Sequence, residues 1–258
     1  MLEKDMCYLV YGVGKATQHK LNTSLSTVIS DNITLFYNKV PLSEFSEANL
    51  TKNLKDTNWL ESEVLEFQKQ MNILLQQTPV LPFRFGTVYS SLESMRQFLS
   101  TYYDSFLENL NTIASKSEWG VKIFLSRNNF SKWLILEADI RSSQVETTSP
   151  GANFFNRKKV ENKMQEQEDE KLNELLRKIV SEIKTITTNC KEIDFLEGFE
   201  ENGSSLRPVL SLAILLSENK SQKMHSLVSK LTKRYKPAGL VLRLSGPWPA
   251  YNFVRIGG

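Results

Sequence analysis

The order of strand-like and helix-like segments after residue 115 constrains the fold of this 258-residue chain more than any other feature. The segment 118–126 (EWGVKIFLS) alternates Trp119, Val121, Ile123 and Leu125, a period of two that predicts a strand with one apolar face. The later segments predict a long charged helix, two strands, a second helix and a closing strand, at 154–187, 190–197, 208–217, 220–236 and 239–246. This β-α-β-β-α-β order is that of a ferredoxin-like domain, an antiparallel sheet with both helices on one face.

The first half predicts a mixed α/β domain. Strand-like runs at 7–14 (CYLVYGVG) and 33–40 (ITLFYNKV) precede an amphipathic helix at 59–77. A second helix is predicted over 92–113, where apolar side chains recur every three or four residues. The whole chain is therefore expected to be α+β, with an N-terminal α/β domain at 1–115 and a ferredoxin-like domain at 116–258. The short apolar segment 133–140 fits neither period clearly.

The cysteines and histidines predict no metal site. Cys7 and Cys190 lie far apart in apolar runs, and neither is spaced with His19 or His225 as zinc ligands are. Two buried, reduced thiols are the simplest interpretation. With no such cluster, we expect no metal and no cofactor.

No motif predicts an enzyme. Gly12 and Gly14 follow a strand, but Thr17 stands where the dinucleotide fingerprint requires glycine, and the next residues are not helix-like. The chain contains no phosphate-binding loop of the Walker type and no nucleophile elbow. We therefore expect no catalytic residues.

Charge and hydropathy predict a cytoplasmic protein that does not enter a membrane. The formal net charge is +3, too small to imply a nucleic-acid or membrane partner by itself. The N-terminal residues do not have the pattern of a secretory signal, and no apolar stretch reaches about 18 residues.

The basic stretch 220–243 leaves a second class of function open. A ferredoxin-like sheet beside lysines and arginines is also the plan of an RNA-recognition domain, so nucleic-acid binding is the alternative hypothesis. Such domains stack bases on aromatic side chains of the central strands. The segments 118–126 and 208–217 carry no such pair of aromatics, which favours a solvated helix face instead.

Two segments are candidate partner-binding sites. In PVLPFRFGTVY (79–89), Arg84 lies between two phenylalanines, of which Phe85 is the second. Arg84 either contacts a partner or anchors a carboxylate of the fold. In SGPWPAYNFV (245–254), Trp248 lies between two prolines and is followed by Tyr251 and Phe253. Rigid aromatics suit a binding surface. They suit a tail packed on its own domain equally well, and the sequence slightly favours packing.

The same two segments resemble the GvpF/GvpL family of gas vesicle proteins. PVLPFRFGTVY followed by SLESMRQFLSTYYDSFLENL and EWGVKIF is similar to the family's signature region, and GLVLRLSGPWPAYNFV to its closing strand and tail. SPGANFFNRKK at 149–159 resembles the segment that opens the long helix in L-type members. The similarity runs from residue 8 to the C-terminus.

The resemblance implies a minor vesicle component or assembly factor, and not an enzyme. Family members are thought to bind the shell protein GvpA, beside other accessory Gvp proteins, and to limit its aggregation during nucleation. The expected location is the cytoplasm and the gas vesicle. The resemblance also implies an N-terminal α/β domain and a C-terminal domain of modified ferredoxin type.

Overall fold

A sheet of five strands forms the centre of the first half in the computed structural model, which describes residues 5–17, 21–141, 153–187, 189–195 and 206–254. Side chains of 138–141 and 153–166 lie outside this description. The chain divides into unit 1, Met1–Glu118 with Pro247–Gly258, and unit 2, Trp119–Gly246. The predicted domains 1–115 and 116–258, as bodies that fold independently, remain a prediction.

The sheet of unit 1 is antiparallel and is built around its first strand. Its strands are β1 (Met6–Lys15), β2 (Ser26–Ser30), β3 (Ile33–Pro41), β4 (Val80–Pro82) and β5 (Val88–Tyr89). The order is β2-β3-β1-β4, and β5 also pairs with β1. The strands predicted at 7–14 and 33–40 are confirmed as β1 and β3.

The described residues of unit 1 also form five helices: α1 (Leu42–Phe45), α2 (Glu47–Asn53), α3 (Thr57–Leu75), α4 (Leu92–Thr101) and α5 (Tyr103–Ile113). The helix predicted at 59–77 is confirmed as α3, which begins two residues earlier. Its start is fixed by the Asp56 side chain, which accepts hydrogen bonds from the N–H groups of Asn58 and Trp59 at 3.0 and 3.2 Å.

The single helix predicted over 92–113 is wrong in one respect, because two helices occupy this range. Tyr102 has φ −110° and ψ 18°, outside the helical region, and ends α4 before α5 begins. The apolar side chains still follow one series across the break, since Met95, Leu99, Phe106 and Leu110 are all fully buried. The regular spacing of buried side chains therefore continues across the break in the helical backbone.

Unit 2 follows the predicted order of elements, with one added helix. It contains most of β6 (Lys116–Ser126) and β9 (Leu240–Trp248), and all of α6 (Arg127–Arg141), α7 (Asn153–Lys184), β7 (Cys190–Glu192), β8 (Leu206–Ser217) and α8 (Glu218–Tyr235). The sheet order is β7-β8-β6-β9. The ambiguous segment 133–140 lies in α6. The strand predicted at 190–197 is shorter in the structure, because β7 ends at Glu192 and residues 193–195 are not strand. Residues 196–197 of that prediction and residues 149–152 of the L-type segment lie outside the described residues.

Apolar side chains from both strands and helices form the core of unit 2. The predicted alternation of β6 is confirmed, since Trp119, Val121, Ile123 and Leu125 all belong to this core. They pack with β8 and with the stripes of α7 and α8, including Ile179, Ile183, Met224 and Leu231. Together the two units make the protein a mixed α+β fold, as the sequence predicts.

Candidate functional site

The segment 83–87 leaves the unit 1 sheet between two strands that both pair with β1. On one side the N–H of Phe83 donates to the carbonyl oxygen of Tyr11 at 2.9 Å. On the other the N–H of Val10 donates to the carbonyl oxygen of Thr87 at 2.9 Å. Both ends of the segment are therefore held by neighbouring residues of the central strand.

The segment closes as a tight turn that needs glycine. The carbonyl oxygen of Arg84 accepts from the N–H of Thr87 at 3.1 Å and from its hydroxyl at 2.8 Å. Gly86 has φ +85°, the value of the third residue in a type II turn. Other residues rarely adopt this φ, which explains Gly86 after Arg84 and Phe85.

The phenylalanines beside Arg84 pack against different helices. Phe83 contacts Phe98 of α4, with ring centroids 5.8 Å apart, whereas Phe85 contacts Phe67 of α3 at 5.5 Å. Phe85 is half-buried and also lies 6.2 Å from Trp59. Its ring thus supports the fold of unit 1.

Arg84 itself is exposed at the tip of the turn. Within the described ranges its guanidinium makes no ion pair and no hydrogen bond. The interpretation that Arg84 anchors a carboxylate of the fold is therefore wrong in the described part of the chain. Arg84 therefore presents its positive charge to solvent from the tip of a hydrogen-bonded turn.

The tail after β9 is partly buried and partly displayed. Pro249 and Ala250 are buried, and the N–H groups of Tyr251 and Phe253 donate to their carbonyl oxygens at 2.8 and 3.2 Å. Trp248 is nevertheless 51% exposed and Tyr251 41% exposed, while Phe253 is half-buried. The sequence slightly favours a packed tail, and the structure buries Pro249 and Ala250 while it leaves Trp248 and Tyr251 partly exposed.

A buried carboxylate holds this tail turn in place. Glu118 is only 6% exposed and accepts two hydrogen bonds from Asn252, from the N–H at 2.9 Å and from the side-chain amide at 2.5 Å. Burial, followed by the charge of Glu118, raises the pKa of Tyr251 to about 12. Sequence reasoning missed Glu118 and Asn252, since residues 134 positions apart give no local signal of their contact.

The five predicted residues form two surface elements of unit 1. Arg84 and Phe85 share the turn, and Trp248, Tyr251 and Phe253 share the tail. No ring contact or hydrogen bond joins Arg84 or Phe85 to the tail aromatics among the residues that the structure describes.

The groups suited to chemistry are not assembled into a reactive site in the described residues. These residues include no group of three or more His, Cys, Asp or Glu that could hold a metal ion. Burial raises the pKa of both thiols, Cys7 and Cys190, which favours the unreactive protonated form. His225 makes an edge-to-face contact with Trp119 at 5.2 Å. Among the described helices, none is long and apolar enough to cross a membrane.

Comparison with known proteins points to one family. A family model described as "Gas vesicle synthesis protein GvpL/GvpF" matches residues 8–255. Gas vesicle protein L of a Streptomyces species is 24% identical over 220 residues, which cover 84% of this chain and 78% of that protein. Gas vesicle protein L1 of Halobacterium salinarum is 25% identical over 210 residues, covering 75% of this chain and 73% of the relative.

Two solved structures share the fold. The crystal structure of GvpF from an Anabaena species matches with a TM-score of 0.65 at 17% identity, over 98% of each chain. GvpF from Microcystis aeruginosa matches with a TM-score of 0.60 at 14% identity, over 97% of this chain and 99% of that one.

Proposed function

Because the chain belongs to the gas vesicle synthesis protein family GvpL/GvpF, we propose that it is an accessory protein of vesicle assembly that binds the shell protein GvpA. By binding, it limits aggregation of GvpA while the shell nucleates, and it acts beside other accessory Gvp proteins. A shell subunit with an apolar face is prone to aggregate before assembly, so a reversible partner serves it. Its place is the cytoplasm and the growing vesicle, and the L-type role fits the curated relatives.

The display of Trp248 and Tyr251 carries this proposal. Both are large aromatics that stay more than 40% exposed, Trp248 as the last residue of β9 and Tyr251 on the turn that Glu118 holds through Asn252. An aromatic held in one conformation loses little entropy on binding and buries a large area, which is why such residues dominate protein interfaces. The tail is therefore the proposed anchor for the shell protein.

The other predicted residues have supporting roles in the proposal. Arg84 presents a cation that has no ion pair within the described part of the chain, which favours a partner carrying a carboxylate. Phe85 fixes the Arg84 turn by packing against the core of unit 1, and Phe253 is the half-buried end of the tail turn. No cofactor is needed for this activity.

We also propose that unit 2 is built on the ferredoxin-like plan. The sheet order β7-β8-β6-β9 corresponds to strands two, three, one and four of this unit, and α7 and α8 share one core with it. The added α6 is a departure from the simplest form of that plan. In unit 2 the basic helix α8 then covers the sheet, and it is not a separate binding element.

Burial of the second sheet face argues against the nucleic-acid alternative. An RNA-recognition domain needs an open face with stacking aromatics. Alternate residues of a strand lie on opposite faces of its sheet, so the second face is formed by the residues between the core positions. Four of these are at most 2% exposed: Phe124 on β6, and Ser211, Ala213 and Leu215 on β8. Binding that weakens steeply with added salt in an RNA-binding assay would favour the alternative instead.

The test is whether the purified chain keeps GvpA from aggregating, and whether Trp248→Ala abolishes this. Denatured GvpA is diluted into buffer with or without the chain, and turbidity is followed. We expect the wild type to suppress turbidity. Trp248→Ala should change the free energy of unfolding by about 1 kcal/mol or less, because the ring is half exposed, and weaken GvpA binding by about 2 kcal/mol or more.

The matched control is Leu136→Ala, which removes a side chain that is 62% exposed in unit 2. It should leave both the stability and GvpA binding close to those of the wild type. If the wild type suppresses turbidity no better than an unrelated protein at the same concentration, the proposed function is wrong. If Trp248→Ala binds as the wild type does, the tail is not the anchor.

A further inference from the structure

The outermost strand of the unit 1 sheet has a free edge. Among the described residues β2 pairs with β3 alone, in the register Ser26↔Tyr37 to Ser30↔Ile33. Within the described ranges no hydrogen bond reaches the other side of residues 26–30. Backbone N–H and C=O groups on that side are therefore open to another strand.

The geometry of the hairpin identifies the open groups. Two residues, Asp31 and Asn32, connect β2 to β3, and Asp31 has φ +49°, as the tight turns of hairpins require. In such a hairpin the closing pair is hydrogen-bonded and pairs alternate from there. Ser30 and Val28 thus bond to β3, while Thr27 and Ile29 direct their N–H and C=O groups to the free edge.

This edge lacks several of the features that normally prevent strand pairing. Its sequence, STVIS, contains no charge and no proline, and its pairing with β3 has no register shift. Ile29 is 65% exposed, the highest value for a large apolar side chain in the described part of the chain. A strand added here would place a side chain beside Ile29 and cover it.

We propose that β2 accepts an extended, uncharged strand of the shell protein by β-strand addition. This inference rests on the proposed function and names a second surface, in addition to the tail, that would hold the subunit. The edge has no charged side chain that could pair with a charge on an added strand. A neutral apolar strand, in contrast, gains both backbone hydrogen bonds and contact with Ile29.

The length of the edge favours a transient partner over a second copy of this chain. Five residues span about 17 Å, and pairing along that length alone buries far less than the roughly 1,200 Å² of a stable dimer. A short pairing can be released again, as delivery of a subunit to a growing shell requires.

The experiment measures amide hydrogen exchange and GvpA affinity of the full chain. Saturating GvpA is expected to slow exchange at Thr27 and Ile29 by about tenfold or more, because their N–H groups gain partners. Ile29→Lys places a cation on the edge and should weaken GvpA binding about tenfold or more. The matched control Leu65→Lys adds the same charge at a leucine that is 59% exposed on α3, and should bind within about twofold of wild type.

The outcomes separate this inference from the proposed function. If wild-type protein binds GvpA, but exchange at 26–30 is unchanged and both lysine variants bind equally, the edge proposal is overturned and the proposed function stands. Absence of wild-type binding overturns both. A concentration-dependent dimer of the chain alone that Ile29→Lys abolishes would overturn the proposal in favour of self-association.

Discussion

Phe67→Ala is expected to destabilise unit 1 by about 3–5 kcal/mol, as removal of a buried phenylalanine does. Phe67 is 3% exposed and its ring stacks on Tyr11 of the central strand, with centroids 4.4 Å apart. It also meets Phe85 edge to face at 5.5 Å. The cavity would therefore lie between β1, α3 and the turn that carries Arg84.

Denaturant unfolding, followed by hydrogen exchange at β1 amides, measures this loss in unit 1. Leu65→Ala, two residues earlier on α3, is the control. Leu65 is 59% exposed, so its replacement should change the free energy of unfolding by less than about 0.5 kcal/mol. Equal stabilities of the two variants would show that the Tyr11–Phe67–Phe85 cluster does not hold unit 1 together.

Gly12→Ala is the second substitution with a large expected effect, about 3 kcal/mol of destabilisation. A Cβ at Gly12 would lie 2.5 Å from the carbonyl oxygen of Leu81 and 2.6 Å from Cγ1 of Val80. Leu81 belongs to β4, which pairs with β1 here, so the carbonyl can move away only if that pairing breaks. Gly12 thus allows two strands to approach closely.

Gly120→Ala provides the control, since Gly120 is also a strand glycine. Its Cβ would lie 2.9 Å from the Ser245 hydroxyl, a side-chain atom and not backbone, so a smaller loss of about 1 kcal/mol is expected. Thermal unfolding of both variants compares the two sites. A Gly12→Ala protein as stable as wild type would mean that β4 can shift without cost.

The parts of the fold predicted from sequence are those whose burial repeats regularly. β1, β6 and β8 are apolar over many residues, and α3 and α8 have one apolar stripe each, so periodicity locates them. β2 gave no such signal because Val28 is its single buried residue. The segment of α6 was ambiguous because Ile135 and Leu136 are exposed in the middle of an apolar run.

The sequence indicated which residues belong to the candidate site, but not how those residues are arranged in space. Two proline-framed segments with aromatics indicated where the proposed partner surface lies. Which aromatics face solvent depends on contacts between residues distant in sequence. Phe85 packs against Phe67 and is half-buried. Trp248 remains exposed beside a turn that the hydrogen bonds between Glu118 and Asn252 hold in place. Local pattern cannot report such contacts.

Deleting the gene in its host tests most directly that this chain serves vesicle assembly. We predict that electron microscopy of the deletion strain shows vesicles absent or stunted, with growth in shaken culture unchanged. The wild-type gene supplied in trans should restore vesicles, and the Trp248→Ala gene should restore them poorly. Normal buoyant vesicles in a clean deletion would contradict the account.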